Sequence, residues 1–544
     1  MLLSEYIAIK KKEERNRMAV TEWILLLSEL VQPELAEGGA QITYLLGNYA
    51  TVRLEAGEEK AVLNAPGVLY AEASTRVFEQ VETGKGASCI NNRPTAGRGA
   101  DALSGKGVLM AVLDSGIDYT HPDFRNADGT TRIAALWDQT TDFGKPPKGY
   151  AVGTLFSREQ IELALRQETA EGRQRIVPSN DLSGHGTHVA GIAAGNGRVS
   201  EGKYRGVAYE SELLVVKLKR SRSVGASDTA SLMEGIDFCL RYAIERNRPL
   251  VLNFSYGTNE GAHNGRSLLE TYLNTVLSMA KCVACVGTGN EGVGRSHAGG
   301  RVANGRNTEL ELAVEGEESR LELQLWKNFQ DEFAIEVEAP EEQGEIRVTF
   351  RNPTVYQNLE EVRIQIAAGT GKLGSGIWKI RLVPERIVQG EYDIWILRGA
   401  ESSDSGFVIP DPERTLTIPS TAESVISVGA YDEGTLQTAA FSGRGEARES
   451  GRSKPDLVAP GVDVVSCAPG GGYTARSGTS MATPFVSGAA ALLLEWGIVE
   501  GNDPFFYGEK LREYLLLGAS RLPGEVYPNP VTGWGRLCVS ESLP

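Results

Sequence analysis

Three short segments carry side chains that together could hydrolyse an amide bond. Ser480 lies in residues 478–484, directly before an apolar segment that predicts a buried helix. The free N–H groups and the positive dipole end at a helix start favour a developing negative charge. Asp114 ends an apolar run typical of a strand covered on both faces, and His185 opens a second helix of small residues. A hydroxyl, an imidazole and a carboxylate are the groups that nucleophilic catalysis requires.

An isolated serine at a helix start would indicate only a small residue, but the other two segments argue against that interpretation. The order Asp114, His185, Ser480 and the residues around them resemble those of the subtilisin-like serine proteases, the subtilases. The resemblance covers roughly residues 100–300 and 415–500. It implies an α/β fold with a parallel sheet covered by helices on both faces, and serine endopeptidase activity. Ser480 would then be the nucleophile, His185 the general base and Asp114 the group that orients the imidazole.

Residues 287–292 formally match the glycine pattern of dinucleotide-binding loops. Such a loop requires an amphipathic helix that opens at its third glycine, and residues 293–300 are poor helix formers. In subtilases the end of this strand carries the asparagine of the oxyanion hole. The resemblance therefore assigns that role to Asn290, together with the backbone N–H of Ser480.

A substrate groove is also implied by the resemblance, with the substrate pairing as an added strand. One side of the groove would be residues 255–257 and the other the chain near residues 223–225. The floor of the pocket is expected near residues 415–420. The predicted substrate-binding residues are Ser255, Tyr256, Gly257, Gly225, Thr288 and Gly289.

Around these segments the sequence predicts a small α/β domain over residues 1–80 and a core divided between residues 81–299 and 415–544. The N-terminal domain has helical spacing at 18–31, strands at 49–54 and 68–72, and a short helix at 58–63. Its last part is similar to the end of a subtilase propeptide, which acts as folding chaperone and inhibitor. An insertion is expected at about 125–178, with an exposed helix over 157–171.

Residues 300–414 have a different residue pattern, with seven short segments in which apolar and polar residues alternate. This pattern indicates an antiparallel β-sandwich with one wet face per sheet, inserted into the core. The Csp germination proteases of spore-forming clostridia carry such a jelly-roll insert, keep their prodomain and lack a usual signal peptide. This chain resembles that group. The resemblance implies activation of another proenzyme in spore germination.

Two interpretations of function remain at this point. The first is an active endopeptidase that cuts its own chain near Gln80-Val81 and keeps its prodomain in the groove after cleavage. The second is a catalytically silent regulatory or ligand-sensing protein on the same fold. Such a pseudoprotease usually loses a member of the triad. All three members and Asn290 are present here, which favours activity on a protein or peptide substrate.

Composition excludes several other classes. A net charge of −16 and a pI near 5.1 argue against nucleic acid or an anionic membrane as partner, and no segment is expected to span a membrane. The N-terminus has no signal-peptide pattern. The chain is therefore expected to be made in the cytoplasm, with incorporation into spore layers implied by the Csp resemblance.

The six cysteines are expected to be reduced, and Cys282 and Cys285 to face opposite sides of one strand.

Nothing in the sequence predicts a catalytic metal or cofactor. Asp123 matches a position that helps bind structural calcium in many subtilases, but residues 196–203 match poorly with the loop that would supply further ligands. His188 lies three positions after His185, and a structural role is expected for it. His263 and His297 are expected in loops.

Overall fold

The computed structural model describes residues 20–29, 40–55, 57, 59–80, 103–219, 226–316, 318–340, 346–350, 354–356, 358–397, 405–446 and 453–543. Residues 81–100, and Gly225 at the edge of the predicted groove, lie outside the described residues.

The N-terminal unit is an antiparallel four-stranded sheet in the order β2-β3-β1-β4. A fifth strand, β5, leaves this sheet and continues to Gln80. The elements are β1 (Val20–Leu27), β2 (Gln41–Tyr44), β3 (Tyr49–Glu55), α1 (Glu59–Leu63), β4 (Val68–Ala73) and β5 (Arg76–Glu79). The strands predicted at 49–54 and 68–72 and the helix at 58–63 are confirmed.

The helix predicted over residues 18–31 is wrong, because residues 20–27 of that segment form β1, a central strand of the sheet. Ile24 packs into a cluster with the α/β core, whereas Leu25 packs into the unit's own small core. Since both faces of β1 are covered, its apolar residues do not alternate with polar ones. A continuous apolar run of this kind does not distinguish a strand from a buried helix by its periodicity.

The first part of the α/β core follows. Its strands are β6 (Leu109–Asp114), β7 (Ile133–Asp138), β8 (Thr154–Ser157), β9 (Glu212–Lys217), β10 (Ser227–Asp228), β11 (Leu250–Phe254), β12 (Tyr256–Gly257) and β13 (Cys282–Gly287). Its helices are α2 (Arg158–Leu165), α3 (Ala170–Gln174), α4 (His185–Ala194), α5 (Thr229–Glu245) and α6 (Leu268–Val276). The helix predicted at 157–171 is present as the shorter helix α2, which begins at a capping box of Ser157 and Gln160.

The inserted part is a two-sheet antiparallel structure, as predicted. One sheet has the order β14-β22-β16-β20-β18 with β19 paired to β20, and the other has the order β17-β21-β15-β23. The strands are β14 (His297–Arg301), β15 (Thr308–Val314), β16 (Arg320–Asn328), β17 (Glu332–Glu338), β18 (Ile346–Phe350), β19 (Thr354–Tyr356), β20 (Leu359–Ala368), β21 (Gly376–Arg386), β22 (Glu391–Ile396) and β23 (Gly406–Phe407).

The expectation of one wet face per sheet fails at β16, which is buried along its whole length after Arg320. The second face of this sheet packs on the α/β core, where Trp326 and Trp395 cluster with Ala262. The rings of His263 and His297 both stack on Trp395, with centroids 4.2 and 4.7 Å away. The insert is therefore held against the core by an aromatic contact.

The chain then returns to the core. The remaining elements are β24 (Ile426–Tyr431), β25 (Gly445–Glu446), β26 (Ser453–Lys454), β27 (Leu457–Pro460), β28 (Val464–Ala468), β29 (Gly472–Arg476), α7 (Thr479–Leu494), α8 (Gly508–Leu517) and α9 (Val539–Ser542). Eight strands from both parts form one sheet in the order β27-β24-β13-β11-β6-β9-β7-β8, parallel except between β7 and β8.

Helices cover both faces of this sheet, as the resemblance implies. Residues of α4 and α7 pack on one face and residues of α5 and α6 on the other. Cys282 and Cys285 lie in these two different clusters, so their predicted opposite orientation is confirmed.

One helical stretch, Thr479–Val499, is long and apolar enough to cross a bilayer by length and composition alone. Most of it is buried inside the core, and a core helix has the same length and composition as a membrane span.

Candidate active site

Strand β6 and helix α4 bring Asp114 and His185 into direct contact. Asp114 is the last residue of β6 and His185 the first of α4. The Nδ1 of His185 lies 2.7 Å from Oδ1 of Asp114, and both residues are fully buried. Gly186 permits this approach, because a Cβ there would lie 2.1 Å from the carbonyl oxygen of Gly116.

The surroundings of His185 favour its protonated form. Burial by itself would lower the pKa of His185, but the Asp114 carboxylate, and then Glu79, raise it above its ordinary value. The Nε2 atom has no hydrogen-bond partner among the described residues. The imidazole therefore presents one free nitrogen on the side opposite to its carboxylate.

Ser480 stands in the first turn of α7, and its hydroxyl donates a hydrogen bond to the carbonyl oxygen of Ser255 at 3.1 Å. The contact between Ser480 and His185 that the triad requires is not formed in this rotamer. Pro484 lies in the second turn of α7. Because proline has no N–H, it cannot bond to the carbonyl of Ser480, which accepts from the Ser255 hydroxyl instead.

Asn290 follows β13 and is oriented by Thr479. Its Oδ1 accepts hydrogen bonds from the backbone N–H and the hydroxyl of Thr479, at 3.0 and 3.2 Å. The Nδ2 of Asn290 is buried and has no partner among the described residues. A donor is therefore held ready beside Ser480, as an oxyanion hole requires. The part played by Thr479 was missed in the sequence, since nothing marks it except its place before Ser480.

The tail of the N-terminal unit occupies the predicted groove. Strand β5 is the middle strand of a three-stranded antiparallel sheet, between β10 and β12. Tyr256 and Gly257, two of the predicted substrate-binding residues, pair with β5 on one side. The described part of the other edge is Ser227–Asp228, and the predicted residues 223–225 directly before it lie outside the described residues.

Gln80 continues β5 to the start of α7. Its N–H donates to the carbonyl oxygen of Ser255, and its own carbonyl oxygen accepts from the backbone N–H of Ser480 at 3.3 Å. The carbonyl of Gln80 thus contacts one of the two predicted oxyanion donors, the N–H of Ser480, while Nδ2 of Asn290 does not bond to it. Residue 81 lies outside the described residues.

The side chain of Gln80 fills a buried pocket. Its Nε2 donates to the hydroxyl of Thr417 at 2.7 Å. Its Oε1 lies 3.4 Å from the hydroxyl of Thr479, whose one proton is shared with Oδ1 of Asn290 at 3.2 Å. A Cβ at Gly257 or Gly287 would lie 2.1 or 2.3 Å from the carboxamide. The pocket thus exists because two of its walls carry no side chain, and it is lined by hydroxyl groups that match an amide.

Thr288 and Gly289, also predicted for this pocket, contribute mainly through their main chain. The carbonyl of Thr288 accepts from the N–H of Thr417, and a Cβ on Gly289 would meet the side chain of Thr417 at 2.4 Å. Thr417 lies in the segment 415–420 where the floor was expected. Gly287 was missed, because it is the last residue of a buried strand and carries no polar group.

Asp123 lies near the position of the calcium ligand that the family resemblance implies, but its contacts do not fit calcium. Its Oδ1 accepts from the N–H of Val199, and its Oδ2 accepts from the hydroxyl of Tyr473 and the thiol of Cys467. Its backbone N–H donates to Nδ1 of His121. His121, Asp123 and Cys467 are close enough to share a metal ion. However, the carboxylate oxygens and Nδ1 of His121 already accept hydrogen bonds from protein donors.

A cation is also present beside Asp123. The buried Arg132 donates to the main-chain carbonyls of Asp123, Ala194 and Ser211. Carbonyl oxygens of this kind are the ligands that calcium uses. The guanidinium group therefore already satisfies oxygens that a calcium ion would need.

Because of these contacts, we expect chelation to leave the stability of this protein unchanged. The thermal midpoint measured by differential scanning calorimetry in excess EDTA should equal the midpoint measured in millimolar calcium. A midpoint that rises with calcium concentration would contradict this expectation, since binding to the folded state alone stabilises it by mass action.

His188 has the structural role that the sequence suggested. Its Nε2 lies 3.0 Å from the carbonyl oxygens of both Val464 and Thr474. Burial lowers the pKa of His188 to about 3, so it stays neutral and ties α4 to β28 and β29.

Proteins of known sequence and structure resemble this chain over most of its length. The model of the subtilase family, peptidase S8, matches residues 105–336 and 404–535. The minor extracellular protease Vpr of Bacillus subtilis is 24% identical over 476 residues, which cover 81% of this chain and 52% of Vpr. The serine protease AprX of the same organism is 23% identical over 471 residues, covering 82% of this chain and 68% of AprX. The chain thus spans about half the length of Vpr.

A solved structure, that of the Clostridium perfringens CspB protease, is 38% identical to this chain and superposes with a TM-score of 0.73. The superposition covers 82% of this chain and 94% of that one.

Proposed function

The chain belongs to the subtilase family of serine proteases, and from this premise we propose that it is an endopeptidase that cleaves its own chain after Gln80. The observation that carries the proposal is the position of the Gln80 carbonyl. Its oxygen accepts from the N–H of Ser480, next to the contact between Asp114 and His185. The resemblance to the Csp proteases also agrees with the similarity to CspB.

The first step begins with a rotation of the Ser480 side chain. Turning about χ1 moves its hydroxyl from the Ser255 carbonyl toward Nε2 of His185, which no other described group occupies. His185 takes the proton as Oγ of Ser480 forms a bond to the carbonyl carbon of Gln80. Asp114 stabilises the resulting imidazolium through Nδ1. The new oxyanion is held by the N–H of Ser480 and by Nδ2 of Asn290; loss of such a side-chain donor typically lowers kcat by about 10²–10³-fold.

The second step completes the cut. His185 returns its proton to the nitrogen of residue 81, the bond between residues 80 and 81 breaks, and Gln80 remains as an ester on Ser480. A water molecule, deprotonated by His185, then attacks this ester. As the ester bond breaks, His185 returns the proton to Oγ of Ser480 and the carboxylate of Gln80 is released.

The N-terminal unit is proposed to stay bound after the cut. Ile24 and Tyr49 are buried in one cluster with the α/β core. Arg53 forms an ion pair of 3.0 Å with Glu234, which is fully buried on α5 and also accepts from the hydroxyl of Thr51. Departure of the unit would break this ion pair and expose the apolar residues of the shared cluster to water, which is unfavourable.

Intact mass measurement tests this function. Purified protein is expected to contain two fragments, residues 1–80 and 81–544, that co-elute in size-exclusion chromatography, and a fluorophosphonate probe should label the second fragment. The labelling also separates this function from a catalytically silent, ligand-sensing protein, which would stay unlabelled beside a labelled serine protease. A single uncut and unlabelled chain would contradict the proposal. Activation of another proenzyme in spore germination stays a prediction from the Csp resemblance.

A further inference from the structure

The side chain of Glu79 lies next to the catalytic pair and is held by two hydroxyl groups. Its Oε1 accepts hydrogen bonds from Tyr256 and from Ser183, each at 3.1 Å. Tyr256 is buried, and its ring meets that of His185 edge to face with centroids 6.2 Å apart. The hydroxyl of Ser183 also accepts from the backbone N–H of His185. The residues that hold Glu79 are therefore the same residues that surround the base.

Main-chain pairing gives this contact a defined register. Glu79 pairs with Tyr256 across β5 and β12, and Gln80 follows with its carbonyl at Ser480. Counted back from the scissile bond, Gln80 is residue P1 and Glu79 is residue P2. Any substrate that pairs with β12 in this register brings its own P2 side chain to the two hydroxyls.

A glutamate suits this position better than other side chains. A carboxylate that accepts two hydroxyl hydrogen bonds forms charge-assisted bonds, about twice as strong as neutral ones. A glutamine keeps an acceptor without the charge. An alanine leaves the hydroxyl of Tyr256 without this partner, whereas the hydroxyl of Ser183 still has the carboxylate of Asp181 at 3.4 Å.

We propose that Tyr256 and Ser183 form a subsite selective for glutamate, and that proteins cleaved by this protease carry Glu-Gln directly before the scissile bond. The inference rests on the proposed function, because it needs cleavage at the register set by Gln80. The pocket around Gln80, with its hydroxyls of Thr417 and Thr479, supplies the second half of the recognition.

The P2 carboxylate also acts on the chemistry. The charged groups that face His185 are Asp114 on β6, Glu79 on β5 and Arg476 on β29, and the neighbouring His188 is neutral. Of the two carboxylates, only Glu79 belongs to the substrate segment. A substrate glutamate at P2 therefore helps to stabilise the imidazolium that forms as Ser480 attacks, and its loss should lower the pKa of His185.

Self-cleavage of the chain gives the first test. Wild type, Glu79→Gln, Tyr256→Phe and the double variant are made by cell-free translation without other proteases, and cleavage after Gln80 is timed by mass spectrometry. We expect each single variant to be slowed about tenfold, and the double variant to be slowed by less than the product, because both changes remove one shared contact. Glu55→Gln, at an exposed residue of the same unit, serves as the control and should cleave at the wild-type rate.

The pH profile gives a readout that a purely structural role of Glu79 would not change. The reaction requires neutral His185, so its rate falls as pH drops through the pKa of that residue. Since Glu79 raises this pKa, the acidic limb of Glu79→Gln should lie at lower pH than that of wild type. If Glu79→Gln cleaves at the wild-type rate and that rate falls at the same pH, the inference is overturned.

Peptides give the second test, which does not depend on folding of the Glu79 variant. Two quenched peptides are compared, one with the sequence of residues 76–85 and one with glutamine in place of Glu79. Wild-type enzyme should prefer the first about tenfold in kcat/KM, and Tyr256→Phe should bring the ratio close to one. A tail that partly blocks the groove slows both peptides equally and leaves the ratio intact. Equal cleavage of both peptides by wild type overturns this inference alone, whereas an uncut chain and two uncut peptides contradict the proposed function.

Discussion

Changing Ser480 to alanine is expected to leave the protein as one uncut chain and to abolish its hydrolytic activity. The substitution removes one oxygen atom at a buried position, keeps the start of α7 and leaves the backbone N–H that binds the Gln80 carbonyl. Binding of the tail should therefore persist while the attack on it cannot occur. Loss of the nucleophile of such a triad costs about 10⁶-fold in kcat, or roughly 8 kcal/mol of transition-state stabilisation.

The measurement is an intact mass spectrum of protein made without other proteases, with Ser278→Ala as the matched control. Ser278 is exposed and its hydroxyl bonds only locally, to the carbonyl of Thr275. The control should appear as residues 1–80 and 81–544, like wild type. A Ser480→Ala chain that is still cut after Gln80 would show that another group performs the cleavage. The thermal midpoint of the uncut variant should stay near that of wild type, because no packing is lost.

The positions of the four predicted catalytic residues follow from rules of chain topology that a sequence can express. Asp114 ends the buried strand β6 and Asn290 follows the buried strand β13, and both strands run parallel in one sheet. The carboxyl ends of such strands form one edge, where ligands bind in α/β folds. His185 and Ser480 begin the two small-residue helices that pack on the same face of that sheet. Local sequence thus predicts both the elements and the edge at which they meet.

The family resemblance placed Gly257 and the segment 415–420 at the pocket that holds Gln80, but the residues alone do not predict this pocket. Thr417 lies 337 positions after Gln80 in the chain and beyond the whole insert, so no spacing rule connects the two. Gly257 and Gly287 act through the absence of a side chain, which leaves no chemical signal in a sequence. The hydroxyl of Tyr256 contributes by reaching across a strand pair. Such roles depend on register, which is fixed only when strands from distant parts of the chain are assembled.

The errors in secondary structure have one shared cause. Strands β1 and β16 each have a second face covered by another part of the protein, and the alternation that identifies a half-exposed strand is lost or misread when both faces are buried. For β1 the result was a predicted helix, and for β16 a predicted wet face. Burial by a distant unit is a tertiary property, and neither sequence window contains it.

Changing Asp114 to asparagine is expected to lower the rate of self-cleavage roughly 10⁴-fold while leaving the fold intact. Oδ1 of Asp114 contacts Nδ1 of His185 and also accepts from the N–H of Ser115 at 2.7 Å. An asparagine can keep the shape of this contact but has no charge to stabilise the imidazolium. It can also donate its own N–H to Nδ1, which would place the imidazole proton on Nε2 and block proton transfer from Ser480.

The same change should alter the pH dependence in a definite direction. Because Asp114 raises the pKa of His185, its replacement by a neutral amide lowers that pKa. As the pH is lowered, the residual rate of the variant should therefore begin to fall at a lower pH than the wild-type rate does. Rates are measured by mass spectrometry between about pH 5 and 9, with Asp142→Asn at an exposed position as the control. A carboxylate in contact with the imidazole must change both the maximal cleavage rate and the pH at which that rate falls. A maximal rate within about tenfold of wild type, or an unchanged pH of the fall, would therefore show that Asp114 does not act on His185 as the geometry indicates.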